Sequence, residues 1–388
     1  MMSTAPLSVR EVANETEMMA FLSLPWTVYK DDPCWVAPLW ADHVAFFDPA
    51  KSPELRHIDL AYFVAWRGDQ PVGTIIAHEN HAYNEFQGVK IGWFGQFEVL
   101  EDAEAAAALL EKAESWVRAR GLPTIRGPAT FSTNSEIGLL IDGFDIPPKI
   151  LMRHDRPYYR RFIEDAGYVK AMDLWAYHFD GENWGGRAAD KLPPKLARVV
   201  EHIRRRRNFT LRNVNMRDFD TEVERVKAIY NSAWERNWGF VPLSEAEIDK
   251  MAEDLKSIVD PDIVFFIEVN GQPVAFGLPI PNLYEPLRKV RCRPGEPHWW
   301  QLLRLVWHWK VRGHLSSVRV WALGVLEEYR GTGIDALLYY EMVKAGLSKG
   351  YMDIEMSWIL EDNDMMNRSI KVLGGEVYKT YRVYEKAL

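Results

Sequence analysis

The same run of elements recurs in the two halves of this chain. Phe63 to Arg67, a turn at Gly68-Asp69 and Gln70 to Gly73 predict a hairpin, and Phe265 to Val269, a turn at Asn270-Gly271 and Gln272 to Ala275 predict a second one. Glu101 to Gly121 has helical spacing and stops at glycine before a strand at Pro123 to Arg126; Asp335 to Gly350 does likewise before a strand at Tyr351 to Trp358. A further helix, a glycine turn and a strand close each set, at Tyr159 to Tyr177 and at Met366 to Tyr384. Hairpin, strand, helix, strand, helix, strand is therefore the expected order twice over, and a repeat of that kind fixes the architecture before any single residue does. The join falls where Gly181, Gly185, Gly186 and Pro193-Pro194 break structure, followed by a helix ending in Arg204 to Arg207. That basic run is expected to be a solvated helix end. We expect an α/β chain of two domains, 1–190 and 191–388.

Composition narrows the function classes. A chain of 388 residues with 47% hydrophobic and 26% charged residues buries ample core. Two cysteines, Cys34 and Cys292, exclude a disulfide scaffold. A net charge of −8 argues against nucleic acid as partner. Met1 to Arg10 has no apolar leader-like run, and no run is long enough to span a bilayer, so a cytoplasmic location is expected. The histidines give no ligand spacing for a metal, His78-x-x-His81 being the nearest approach, and no metal is expected. No Gly-x-Ser-x-Gly elbow supports a hydrolase.

The second half carries the chemistry. A β-rich strand, Val318 to Leu326, runs into Glu327-Glu328-Tyr329-Arg330-Gly331-Thr332-Gly333-Ile334-Asp335 and then a helix. A glycine-rich turn at a helix start offers free backbone N–H groups and the positive dipole end to an anion. Arg330 adds a fixed charge, so the loop suits a pyrophosphate. The first half has Val99-Leu100-Glu101-Asp102-Ala103-Glu104-Ala105 instead, with no glycine and three carboxylates that repel such a group.

Val325, Arg330 and Gly333 in register, with Asn363 followed by Leu373-Gly374-Gly375, resemble the GNAT superfamily of acyl-CoA N-acyltransferases. Further strings resemble a bacterial tandem-GNAT group of ceramide synthase-like proteins: Asn134-Ser135-Glu136-Ile137-Gly138, Gly143-Phe144-Asp145, Asn237-Trp238-Gly239-Phe240 and Ser357-Trp358-Ile359-Leu360-Glu361-Asp362-Asn363. The resemblance implies two tandem GNAT-like domains, each a mixed twisted sheet flanked by helices, with acyl-CoA as co-substrate. It implies an acyl group, fatty acyl in the favoured case, moved to the amine of a lipid-like or long-chain acceptor. It places the CoA site at Leu323, Gly324, Val325, Arg330, Gly331, Thr332, Gly333, Ile334 and Asp335. The first domain, without the loop, is expected to shape the acceptor site rather than to bind CoA.

The tyrosine that many relatives carry seven residues after the asparagine is Ile370 here. The catalytic candidates are Glu355 as base, by period-2 alternation along its strand with Glu361 and Asp362 behind it, Asn363, and Tyr381 as proton donor. Asn134, Glu136, Asn237, Trp238 and Phe240 are the acceptor-binding candidates. Two alternatives stay open: acetyl transfer to a small polar amine, and a catalytically silent acyl-CoA or lipid binder. Four of the sixteen tryptophans fall between 299 and 309, on a helical stretch where seven Lys/Arg and one Glu lie from Arg288 to Arg312. That pattern predicts an interfacial helix, making weak peripheral membrane contact through 298–312, or a lid beside the half with the phosphate loop.

Overall fold

The computed structural model describes residues 5–191, 193–205 and 209–388. Arg206 and Arg207 of the basic run lie outside the described residues. The chain forms two compact units that are not contiguous in sequence: Met1–Leu174 with Leu287–Val311 and Lys379–Leu388, and Trp175–Pro286 with Arg312–Tyr378.

In the first unit, strands β1 (Leu7–Glu11), β2 (Ile58–Arg67), β3 (Gln70–Asn80) and β4 (Gly92–Val99) pair antiparallel in sequence order. Strand β5 (Thr124–Gly127) pairs parallel to β4, among the described residues only through Gly92↔Ile125 and Trp93↔Arg126. The short β6 (Leu139–Asp142) and the start of β7 (Val169–Asp180) follow. The helix Ala103–Ala119 puts Ala105, Ala106, Leu109, Leu110, Ala113 and Val117 against the sheet, one buried stripe at helical spacing. Asp102 caps it, accepting from Ala105 N at 3.1 Å.

In the second unit, β8 (Phe209–Asn213), β9 (Phe265–Val269), β10 (Gln272–Pro281) and β11 (Ser317–Val325) are antiparallel neighbours. Strand β12 (Asp353–Leu360) pairs parallel to β11 from Ser317↔Asp353 to Val320↔Met356, and among the described residues the pairing ends there. A bulge in β11 falls at the same level, since Leu278 faces Ala322 and Pro279 faces Val320, leaving Trp321 extra. The helix Ile334–Lys349 packs Leu337, Leu338, Met342 and Leu347 on Val318, Val320, Ile354 and Met356. The last strand, β13 (Glu376–Ala387), begins here and ends in the first unit, where Tyr384 to Ala387 pair with β5 and Thr380 to Arg382 with β6.

The expected order is present twice: β2-β3, β4, helix Ala103–Ala119, β5, helix Tyr158–Asp165, β7; and β9-β10, β11, helix Ile334–Lys349, β12, helix Asp364–Val372, β13. The units do not divide at 190/191. Strands β7 and β13 each start in one unit and finish in the other, which no local pattern encodes. The tryptophan-rich stretch needs a second correction. Leu287–Val311 belongs to the first unit, not to the one with the glycine-rich loop, because its anchors are local to that unit: Gln301 Oε1 accepts from Trp40 N at 2.8 Å and the Cys292 carbonyl accepts from Trp26 Nε1 at 2.6 Å.

Candidate active site

Where β11 and β12 part, the second unit holds a cavity of about 360 Å³. Leu323 and Val325 line one side and Leu360 the other. Arg330, Gly331 and Asp335 from the glycine loop, Asn363, Met366 and Ser369 from the following helix, and Trp234, Asn237 and Trp238 complete its wall with Tyr339. Segments far apart in sequence thus meet at one opening.

The loop has the geometry an anion needs. Gly331 and Gly333 have φ of 69° and 90°, the left-handed region where a side chain costs about 1–2 kcal/mol. Gly333 is the N-cap of the helix Ile334–Lys349, and no side chain caps that end. Its first-turn amides and dipole therefore remain available to a ligand. A Cβ at Gly333 would also lie 2.6 Å from Ile203 Cδ1, so the helix Pro194–Arg204 comes close at this position. Arg330 spends two donors on backbone, to the Ala233 carbonyl at 2.7 Å and the Val325 carbonyl at 3.3 Å, which staples the loop to β11 and to the helix Phe219–Trp234.

Not every expected residue lines the cavity. Thr332 donates to the Tyr329 carbonyl at 2.6 Å, and Ile334 is core. At Gly324 a Cβ would meet Phe276 and Ile229 within 2.9 Å, so this glycine admits the neighbouring helix. Phe240 is buried against Tyr230 rather than lining the cavity with Asn237 and Trp238. Asn363 caps the helix Asp364–Val372, accepting from Met366 N at 3.2 Å.

Glu355 is fully buried outside the lining, beside the point where β11 and β12 separate. Its carboxylate accepts from Ser357 Oγ at 2.6 Å and from the Tyr378 hydroxyl, and Arg319, its cross-strand partner, lies 3.6 Å away. Asp362 lines the cavity, at the far end of β12.

Tyr381, Asn134 and Glu136 belong to the first unit. Tyr381 is fully buried and donates to the Arg153 carbonyl at 3.3 Å. Asn134 sits in a turn with its N–H on Ser132 Oγ at 3.1 Å. Glu136 accepts from Gln96 Nε2 at 3.1 Å, and burial raises its pKa. Nearby, burial pushes Glu98 up to about 8, while Arg153, held by Asp155, opposes that rise. His78 is buried and donates to the Ala129 carbonyl at 3.0 Å, whereas His81 is a surface residue beside Asp59 and Glu79.

Sequence reasoning missed Tyr339. Ile370, at the position where a tyrosine was sought, is fully buried core. Tyr339 lines the cavity instead, and its hydroxyl donates to Met366 Sδ at 2.8 Å. Burial raises its pKa, and the Asp335 charge adds to the rise. The available signal was spacing: Tyr339 stands four residues after Asp335 on the same helix face.

In the first unit the corresponding features are taken by the chain itself. Asp102 occupies the helix start, and Arg67 grips it through Nε at 2.6 Å and Nη2 at 3.0 Å, which lowers its pKa. Between β4 and β5, Ala129 N donates to the Phe94 carbonyl at 2.8 Å, and a Cβ at Gly95 would sit 2.1 Å from the Ala129 oxygen. The segment after β5 therefore fills the gap that opens after β11 and β12 in the second unit.

No family model matches the chain. It is 36% identical to Protein YghO of Escherichia coli K12 over 98% of this chain and 95% of that one. It is 35% identical to bacterial ceramide synthase of Caulobacter vibrioides over 100% of this chain and 99% of that one. Its fold matches a tandem GNAT protein from the clavulanic acid biosynthesis pathway, with a TM-score of 0.57 at 14% identity over 98% of both chains. The chain belongs to the family of bacterial ceramide synthase and Protein YghO. A GCN5-related N-acetyltransferase from Sphaerobacter thermophilus shares the GNAT fold at TM-score 0.50 and 14% identity, over 99% of this chain and 97% of that one. In this chain the second unit leaves the β11/β12 pair parted beside the glycine loop, while the first unit fills the corresponding gap.

Proposed function

We propose that this protein transfers an acyl group from acyl-CoA to the nitrogen of an amine, with a fatty acyl chain and a lipid-like amino acceptor as substrate classes. One observation carries the reading: the uncapped glycine loop, the parted strands and Asn363 share a single cavity in the second unit. The pyrophosphate is assigned to the amides after Gly331 and Gly333, and the pantetheine arm to the gap beside Leu323 and Val325. A backbone N–H of β11 is assigned to the thioester oxygen, and fixed donors of that kind contribute about 10²–10³ in rate. The first unit is assigned no CoA, because Asp102 and the segment around Ala129 stand where it would bind.

In the reaction the amine nitrogen forms the C–N bond, the C–S bond breaks, and the nitrogen loses a proton. We assign that proton to Glu355, reached through a bridging group rather than directly, since the carboxylate is buried outside the cavity lining. The leaving sulfur takes its proton from Tyr339, whose side chain lines the cavity and whose hydroxyl is protonated at neutral pH as any tyrosine's is.

One observation bears on the acyl chain and another on the acceptor. An apolar hollow of about 20 Å³, room for about one methylene, is lined by Val320, Met342, Gly346 and Met356, and Tyr339 borders both it and the cavity. Methionine side chains yield readily, so a chain enters there only where Met342 and Met356 move aside. The relative named bacterial ceramide synthase supports the lipid-like acceptor.

Thiol release from palmitoyl-CoA in the presence of a long-chain amino alcohol tests the reading. Turnover should be at least about tenfold faster than with acetyl-CoA or with a short polar amine. Turnover with acetyl-CoA and the polar amine alone would replace the lipid assignment with acetyl transfer. Release from no thioester would remove the catalytic reading.

A further inference from the structure

The segment Leu287–Val311 takes no part in the reaction assigned above, yet its surface is unusual. The helix His298–Val306 continues into one π turn, Trp307–Val311. Its inward positions are Gln301 and Leu305, four residues apart. Gln301 is fully buried, bonded through Oε1 to Trp40 N and through Nε2 to the Arg293 carbonyl and Glu296, both at 3.2 Å. A polar amide thus holds the inside while the apolar residues face out. Trp299 is 67% exposed, Leu303 54%, Trp307 52% and Val311 61%, with Trp300, Leu302 and Val306 also exposed. A surface helix ordinarily shows the reverse arrangement, and a contiguous exposed apolar face marks an interaction site.

Charge identifies the partner. Arg288, Lys289, Arg291, Arg293 and Lys310 are all exposed on this segment, while its one carboxylate, Glu296, is engaged by Arg304 and Gln301. The chain as a whole carries −8. A positive, tryptophan-rich face on an acidic protein fits a surface that is anionic outside and apolar just beneath. That is the chemistry of a lipid bilayer, where indoles settle at headgroup depth. Among the described residues no helix is long and apolar enough to cross a membrane, so contact would be with the surface.

We propose that Leu287–Val311 docks the protein on anionic bilayers. The Trp299–Val311 face enters the headgroup region and the surrounding Arg and Lys side chains meet the phosphates. The full-length protein should sediment with phosphatidylcholine vesicles containing phosphatidylglycerol at least about tenfold more strongly than with phosphatidylcholine alone, and less strongly in high salt. Leu303→Ser with Trp307→Ser should lower binding about tenfold or more, and Lys289→Glu with Arg291→Glu should abolish the preference for the anionic lipid. All four side chains are exposed, so an unchanged melting temperature separates lost docking from unfolding. If a variant fails to fold, quenching of the wild-type indoles by brominated lipid reads the same contact. Equal binding to both compositions, or binding to neither, overturns the proposal. A wild-type dimer in light scattering that Trp307→Ser dissociates also overturns it, by assigning the face to a second copy.

Discussion

At the scale of single residues, the cavity depends on groups whose roles differ from their appearance in sequence. Gly333 is legible in the chain as part of a glycine-rich loop at a helix start, and the structure adds the close approach of Ile203. Arg330 looks like a phosphate ligand but acts first as a staple between two backbone carbonyls. The proposed proton donor was not legible at position 370, since Ile370 turns into the core and Tyr339, a turn of helix beyond the loop, faces the opening. Tyr339→Phe removes only the hydroxyl. We expect kcat to fall about 10²-fold with the melting temperature and the affinity for CoA unchanged. A fall in affinity with kcat kept would make Tyr339 a wall of the site rather than a donor.

At the scale of elements, one strand-helix-strand arrangement has two outcomes. In the second unit β11 and β12 part after Val320 and Met356 and leave a cavity. In the first, β4 and β5 part after Trp93 and Arg126, and the chain after β5 closes the gap, with Ala129 on Phe94 and His78 on Ala129. The elements were legible because hydrophobic spacing and glycine stops are local signals. The closure was not, because it depends on a turn following β5 that folds back on β4. Gly95→Ala tests the closure directly: its Cβ would collide with backbone at 2.1 Å. We expect a loss on the order of 2–4 kcal/mol in denaturant unfolding, with CoA binding in the surviving folded fraction unaffected. Unchanged stability would mean that the segment around Ala129 moves aside without cost.

At the scale of the molecule, the duplication gave the fold class, while the crossing of β7 and β13 between units escaped it. The crossing is a choice of pairing partner, and the same strand pattern satisfies either choice. Burial of His78 has a consequence for the whole chain. Desolvation holds its imidazole pKa near 4, below the ordinary 6.5. The folded state therefore binds fewer protons than the unfolded state between those values. Its stability contribution is full above pH 6.5 and is lost as pH falls toward 4. His78→Gln keeps a donor for Ala129 and removes the titration, so its melting temperature should fall less steeply than the wild type's over that window. An identical slope would show that His78 is not buried neutral.

The central claim is that one of two related units binds acyl-CoA. Calorimetric titration of the full chain with palmitoyl-CoA measures it directly. One site per chain is expected, lost on Gly333→Val and retained on Asp102→Ala in protein shown to be folded. Two sites per chain, or a single site that survives Gly333→Val, would contradict the account.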